Sequence, residues 1–296
     1  MLIRGLSAER GGTPVLRELG MTVPPGEITV LLGPSESGKT TLVRAICGLL
    51  RPQRGVIRIG GDDVVAATET ELLEIRRGIA VMMGGPTVFD PATFGSLSVL
   101  DNLAYALGKR GVDPFDATLR AMERLRELDL AGVAELLPHQ LPAYARKRLA
   151  LARALVLDAP LTILDELDAG LDPPHRAQVL SAVERMHLRT GGTVLITAHD
   201  VVFARTLGHR VAILYGGYVV AEGDPDVLLR GIDTNEQFEA RYLNYDHPHT
   251  PVPRGTDRDN DRSISFDPQL LLFAMAALII ISALLLVLGI GGDLPF

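Results

Sequence analysis

Apolar positions in the first 230 residues gather into short runs that end in polar, chemistry-bearing residues. Glu27 to Gly33 reads EITVLLG, Leu161 to Leu164 reads LTIL, and Thr193 to Ala198 reads TVLITA. Short apolar runs of this kind predict buried strands. The first opens into a glycine-rich loop, the second into Asp165-Glu166, and the third into His199-Asp200. Behind the loop, LVRAICGLL has helical character, and residues 146 to 155, RKRLALARAL, read as a basic amphipathic helix. Residues 210 to 223, RVAILYGGYVVAEG, place two β-type runs around Gly216-Gly217, the pattern of a hairpin.

The longest apolar run stands apart from these. Leu270 to Ile290, LLLFAMAALIIISALLLVLGI, carries no charge. At about 1.5 Å per residue it would cover roughly 31 Å as a helix, the thickness of a bilayer's hydrocarbon core. A buried core helix is the competing reading, but core helices seldom remain apolar on every face over such a length. Arg254, Arg258 and Arg262 lie upstream and no basic residue lies downstream. The positive-inside bias therefore puts the bulk of the chain in the cytoplasm, as a single-pass protein of a bacterial plasma membrane. The expected boundaries are a nucleotide-binding domain over 1–231, an extension and polar linker over 232–267, a transmembrane helix over 268–292, and a short exterior tail over 293–296. The stretch DHPHTPVPRGTDRDNDRSISFD, residues 246 to 267, has the composition of a linker.

Composition narrows the partners. The 296 residues hold 29 Lys+Arg against 36 Asp+Glu, a formal net charge of -7, so the whole molecule has no field suited to nucleic acid. Cys47 is the single cysteine, which excludes an internal disulfide; in its apolar setting it reads as a small buried hydrophobe. No N-terminal leader is expected, because MLIRGLSAER lacks an apolar core. Lysines are confined to Lys39, Lys109 and Lys147, and Lys39 falls in the glycine-rich loop.

That loop, Gly33-Pro34-Ser35-Glu36-Ser37-Gly38-Lys39-Thr40-Thr41, matches G-x-x-x-x-G-K-[ST] between a strand and a helix. Glycines let backbone N–H groups converge on phosphate oxygens, and the following helix adds its positive end. The pattern assigns Lys39 to the β- and γ-phosphates of ATP and the Thr40 hydroxyl to Mg²⁺. In the second element Asp165 would hold Mg²⁺ and Glu166 would orient the attacking water. His199, at the end of a parallel strand, is a candidate γ-phosphate contact.

In this order and spacing the three elements resemble the nucleotide-binding domain of ABC transporters over about residues 1 to 230. The resemblance implies an α/β fold: a P-loop NTPase core with a mostly parallel sheet and helices on both faces. It also implies an antiparallel β subdomain and a helical subdomain over about 90–158 that contacts a permease. Ala169-Gly170-Leu171-Asp172 looks like the D-loop. Glu74-Ile75-Arg76, residues 79 to 89 (IAVMMGGPTVF) and residues 96 to 107 (SLSVLDNLAYAL) resemble the ATPases of Mce/Mla-type lipid transporters. That implies permease subunits and MCE proteins as partners.

Three positions depart from the family pattern. Where the family has Leu-Ser-Gly-Gly-Gln, which grips the γ-phosphate of the opposite subunit, residues 141 to 145 read Leu-Pro-Ala-Tyr-Ala. Pro142 has neither hydroxyl nor N–H, and Tyr144 brings a ring to a place where backbone must approach phosphate. The Q-loop glutamine falls on Gly84, and the adenine-stacking aromatic falls on Arg10, whose guanidinium can still stack on a base. The expected activity is ATP hydrolysis as one half of an asymmetric pair, with a second ATPase subunit supplying an intact signature. The alternative is a membrane-tethered regulatory or structural ATP-binding subunit. A P-loop kinase is disfavoured by the lack of an acceptor-substrate motif.

Overall fold

The computed structural model describes residues 1–84 and 95–243. The expected linker and transmembrane helix, residues 246–292, lie outside the described residues. Among the described residues no helix is long and apolar enough to cross a membrane.

Strands β1 (Leu2–Arg10) and β2 (Thr13–Thr22) form an antiparallel pair. Strand β3 (Ile28–Leu32) leads to helix α1 (Lys39–Ile46), and β4 (Arg54–Ile59) and the short β5 (Asp62–Asp63) follow. Helix α2 (Glu69–Arg77) precedes strand β6 (Ile79–Met82). Three helices come next: α3 (Val99–Gly108), α4 (Pro114–Glu127) and α5 (Ala143–Leu155). The chain then alternates through β7 (Leu161–Leu164), α6 (Pro173–Thr190), β8 (Thr193–Ala198) and α7 (Val201–Leu207). It closes with β9 (Arg210–Tyr215), β10 (Tyr218–Gly223), α8 (Pro225–Leu228) and α9 (Asn235–Tyr242).

Two sheets result. The smaller is antiparallel in the order β2-β1-β4-β5; the larger runs β10-β9-β3-β8-β7-β6 and is parallel except for the β9–β10 hairpin. The apolar runs become central strands because both of their faces are covered. In β3, Ile28, Val30 and Leu32 enter the core shared with α3 to α7, whereas Leu31 enters the core shared with the antiparallel sheet, α1 and α2. Strand β8 divides the same way, with Val194 and Ile196 on one side and Leu195 on the other. Each such side chain contributes roughly 1.5–3 kcal/mol on burial. This register points the C-terminal ends of β3, β7 and β8 to one edge of the sheet, where the loop, the carboxylate pair and the histidine come together.

Helix starts divide into two kinds. Seven of the nine α-helices among the described residues have a side-chain N-cap: Thr68, Ser98, Asp113, Asp172, Asp200, Asp224 and Thr234 each accept from a first-turn N–H. Helices α1 and α5 have none. No side chain takes their first-turn donors.

Candidate nucleotide-binding site

The loop from Gly33 to Gly38 is shaped by close approach. A Cβ at Gly33 would stand 2.4 Å from the Leu214 carbonyl oxygen and 2.9 Å from Ser37 Oγ. At Gly38, with φ at 109°, it would meet Leu16 at 2.8 Å and the Val15 carbonyl oxygen at 3.2 Å. Neither position admits a side chain, so backbone amides form the surface of the turn. Ser37 is buried and its Oγ has no partner, an orphaned donor inside the loop. A phosphate oxygen would satisfy it, as well as the uncapped first turn of α1. The fit to a nucleotide phosphate is therefore steric, electrostatic and polar at once.

Lys39 begins α1 and is 4% exposed. Its Nζ donates to the carbonyl oxygens of Gly33 and Pro34, both at 2.8 Å, and lies 3.3 Å from His199 Nδ1. Burial pushes its pKa down to about 8, although the nearby carboxylates of Glu166, Asp168 and Asp165 pull the other way. An ammonium at that distance from Nδ1 favours the tautomer with the proton on Nε2, leaving Nε2–H free as a donor. Thr40 and Thr41 follow on α1, partly buried.

The carboxylates at the end of β7 are pinned. Asp165 is fully buried; its Oδ1 accepts from Thr197 Oγ1 at 2.6 Å and its Oδ2 from the Gly84 N–H at 3.3 Å. Glu166 has φ of 52°, a left-handed conformation that costs a non-glycine residue on the order of 1–3 kcal/mol. Its N–H donates to Thr197 Oγ1 at 2.8 Å, and its carbonyl oxygen accepts from Lys147 Nζ at 2.8 Å. Asp168, 6% exposed, accepts from the N–H groups of His199 at 2.7 Å and Asp200 at 2.8 Å. The histidine's place beside Lys39 is thus set by a carboxylate on the turn after β7.

Lys39, Asp165, Glu166 and His199 are brought together around the loop that holds Ser37. Thr197, Asp168 and Lys147 were missed. Thr197 was hidden inside an apolar strand and Asp168 inside an acidic stretch; the rarity of lysine was the one signal that singled out Lys147. Arg10 ends β1, exposed, in the register pair Arg10–Thr13. Gly84 lies closer to the chemistry than a lost side chain suggests: a Cβ there would stand 3.0 Å from both Cβ and Oε2 of Glu166.

At the other departure Pro142 sits at the N-cap of α5 with no side-chain cap. The Tyr144 ring is packed against neighbours within its own subunit. It stacks on His175 at 4.3 Å between centroids, with the Arg148 guanidinium 5.2 Å from its ring centre. His175 in turn pairs with Asp172, the N-cap of α6. A cavity of about 280 Å³ beside it is lined by Leu141, Pro142, Tyr144 and Arg148, among others.

A family model described as ABC transporter matches residues 16–169. The chain is 33% identical over 274 residues to the probable ribonucleotide transport ATP-binding protein mkl of Mycobacterium tuberculosis, covering 92% of this chain and 73% of that protein. It is 31% identical over 232 residues to the intermembrane phospholipid transport system ATP-binding protein MlaF of Haemophilus influenzae, covering 78% and 86%. A solved ATP binding subunit of an ABC transporter superposes with a TM-score of 0.70 at 25% identity, covering 82% of this chain and 98% of that one. A dimeric ATP-binding cassette in a post-hydrolysis state with ADP and Pi superposes with a TM-score of 0.67 at 26% identity, covering 76% and 98%. With the loop, the carboxylate pair and the histidine assembled on this fold, the chain belongs to the ABC transporter family as an ATP-binding subunit.

Proposed function

We propose that this chain is the catalytic half of an asymmetric ATPase pair in an ABC transporter that moves lipid or another hydrophobic substrate. The observation that carries the reading is a contrast within one molecule. Lys39, Asp165, Glu166 and His199 are held together around a glycine-lined loop, while α5 offers its sister subunit Pro142 and Tyr144 in place of serine and glycine. Similarity to MlaF and the apolar segment 268–292 support a lipid-type substrate and a membrane tether, with the ATPase domain on the cytoplasmic face. Permease subunits, a second ATPase with an intact signature, and MCE proteins are the proposed partners.

On this reading the loop amides and Ser37 Oγ bind the phosphates, and Lys39 exchanges its carbonyl partners for the β- and γ-oxygens. Thr40 and Asp165 are the residues that would hold Mg²⁺, whose charge stabilises the transferring phosphoryl group. Glu166 accepts the proton of the attacking water, and His199 donates from Nε2 toward the γ-phosphate. Arg10 stacks on the adenine. Loss of one donor of this kind costs about 2.7–4 kcal/mol in kcat, so the site facing Pro142 and Tyr144 hydrolyses little.

The regulatory alternative draws on Gly84, which supplies a backbone N–H to Asp165 but no side chain to link the site to a permease. The purified chain alone distinguishes the pair from a self-sufficient enzyme. Negligible ATP turnover alone, rising when the complex is reconstituted, supports the pair; robust turnover alone that Glu166→Gln abolishes overturns the need for a partner.

A further inference from the structure

Helix α5 keeps its basic character after its first turn has lost serine and glycine, and Lys147 shows what that part of the helix does within its own subunit. The side chain leaves α5 and crosses to the turn after β7, where Nζ donates to the carbonyl oxygens of Glu166, at 2.8 Å, and of Ala169. Those two carbonyls bracket the segment that carries Asp168. Glu166 needs such a hold, because its backbone sits in the left-handed region. Thr197 Oγ1 takes its N–H and Lys147 takes its C=O, so both flanks of the residue are tied. The ammonium stays there despite its desolvation cost. Burial lowers its pKa to about 8, with Asp168 and Glu166 opposing that shift. A group held against such a penalty is bound by its partners rather than parked in solvent.

We propose that Lys147 is a positioning residue for hydrolysis at this chain's own site, fixing the Glu166 main chain, and through it the carboxylate, from the helix whose first turn faces the sister subunit. The inference rests on the reading that this site turns over. It explains why α5 beyond residue 145 is retained while residues 142–145 are not: the first turn serves the other nucleotide, and Lys147 serves this one.

The test uses the full chain in its assembled complex, with Lys147→Met, Lys147→Arg and, as reference, Glu166→Gln. Hydrogen exchange over residues 165–172 and the ATPase constants are read together. Lys147→Met is expected to speed exchange in that segment about tenfold and to lower kcat at least tenfold, with KM for ATP within twofold of the parent. Lys147→Arg, which keeps charge and several donors, is expected to recover most of both. If Lys147→Met does not fold, Lys147→Gln replaces it, with a smaller effect in the same direction. Unchanged exchange, or a raised KM at unchanged kcat, overturns the inference. The two levels fail differently: undiminished turnover in Glu166→Gln sinks the own-site reading. A dead Glu166→Gln beside a fully active Lys147→Met sinks only the role of Lys147.

Discussion

The loop between β3 and α1 and the N-terminal end of α5 look alike in outline, since each presents first-turn amides that no side chain caps. They differ in what surrounds those amides. At the loop, two positions exclude any Cβ and a buried hydroxyl waits without a partner. At α5, proline takes the cap position, alanine opens the helix, and Tyr144 packs sideways between His175 and Arg148. A helix dipole and free N–H groups are common property of many helices; a bare backbone surface that a phosphate can touch is not. A helix start can thus keep its dipole and still lack the bare backbone surface that the loop has.

The comparison breaks most severely at Gly33. Gly33→Ala pushes a methyl group into the Leu214 carbonyl, and the loss expected is about 3 kcal/mol of stability, read from denaturant midpoints, together with ATP binding. Alanine at Gly111, where a Cβ would meet nothing within 4 Å but φ is 78°, is expected to cost only the backbone strain, about 1 kcal/mol. Equal costs at the two glycines would remove the steric argument.

Restoring the α5 end attacks the same contrast from the other side. Pro142→Ser, Ala143→Gly, Tyr144→Gly and Ala145→Gln together are expected to raise ATP turnover of the isolated chain roughly 30-fold, a fraction of the 10²–10³ that one oxyanion donor can supply. Two new glycines in the first turn lower stability by about 1–2 kcal/mol at the same time. No gain in turnover would place the defect elsewhere, at Gly84 or Arg10.

A pH titration sharpens the account of the loop. Lys39 in the free site titrates near 8, and bound phosphate holds its proton on. ATP affinity is therefore expected to be flat below about pH 8 and to weaken above it by at most about tenfold per pH unit. Lys39→Arg, which cannot lose its proton in that range, should bind with a flat profile. A wild-type affinity that stays constant to pH 9.5 would contradict the buried ammonium. The smallest effect is expected for Tyr144→Ala, which removes a stack worth about 0.5–1.5 kcal/mol and leaves ATP binding to this chain's own loop unchanged. Thermal melting with and without ATP separates the two.

Much of this was legible in the chain itself because local pattern and site chemistry coincide. The three apolar runs predicted β3, β7 and β8, and their polar ends predicted the residues that meet at the sheet edge. Three features stayed hidden for one reason: they depend on contacts between segments far apart in sequence. Thr197 joins Asp165 and Glu166 across two strands, Asp168 fixes His199 from 31 residues away, and Lys147 reaches the turn at Glu166 from α5. The side-chain direction of Tyr144 was equally unreadable, since only the neighbouring His175 and Arg148 decide it.

The central claim is that this chain's own loop carries the working site. Its most direct test is ATP turnover of the assembled complex with Glu166→Gln in this chain alone, the partner left intact. The account predicts that turnover falls to background, a loss of roughly 100-fold or more, with ATP still bound. Turnover that persists near the parent level, and disappears only when the partner's equivalent residue is changed, would contradict it.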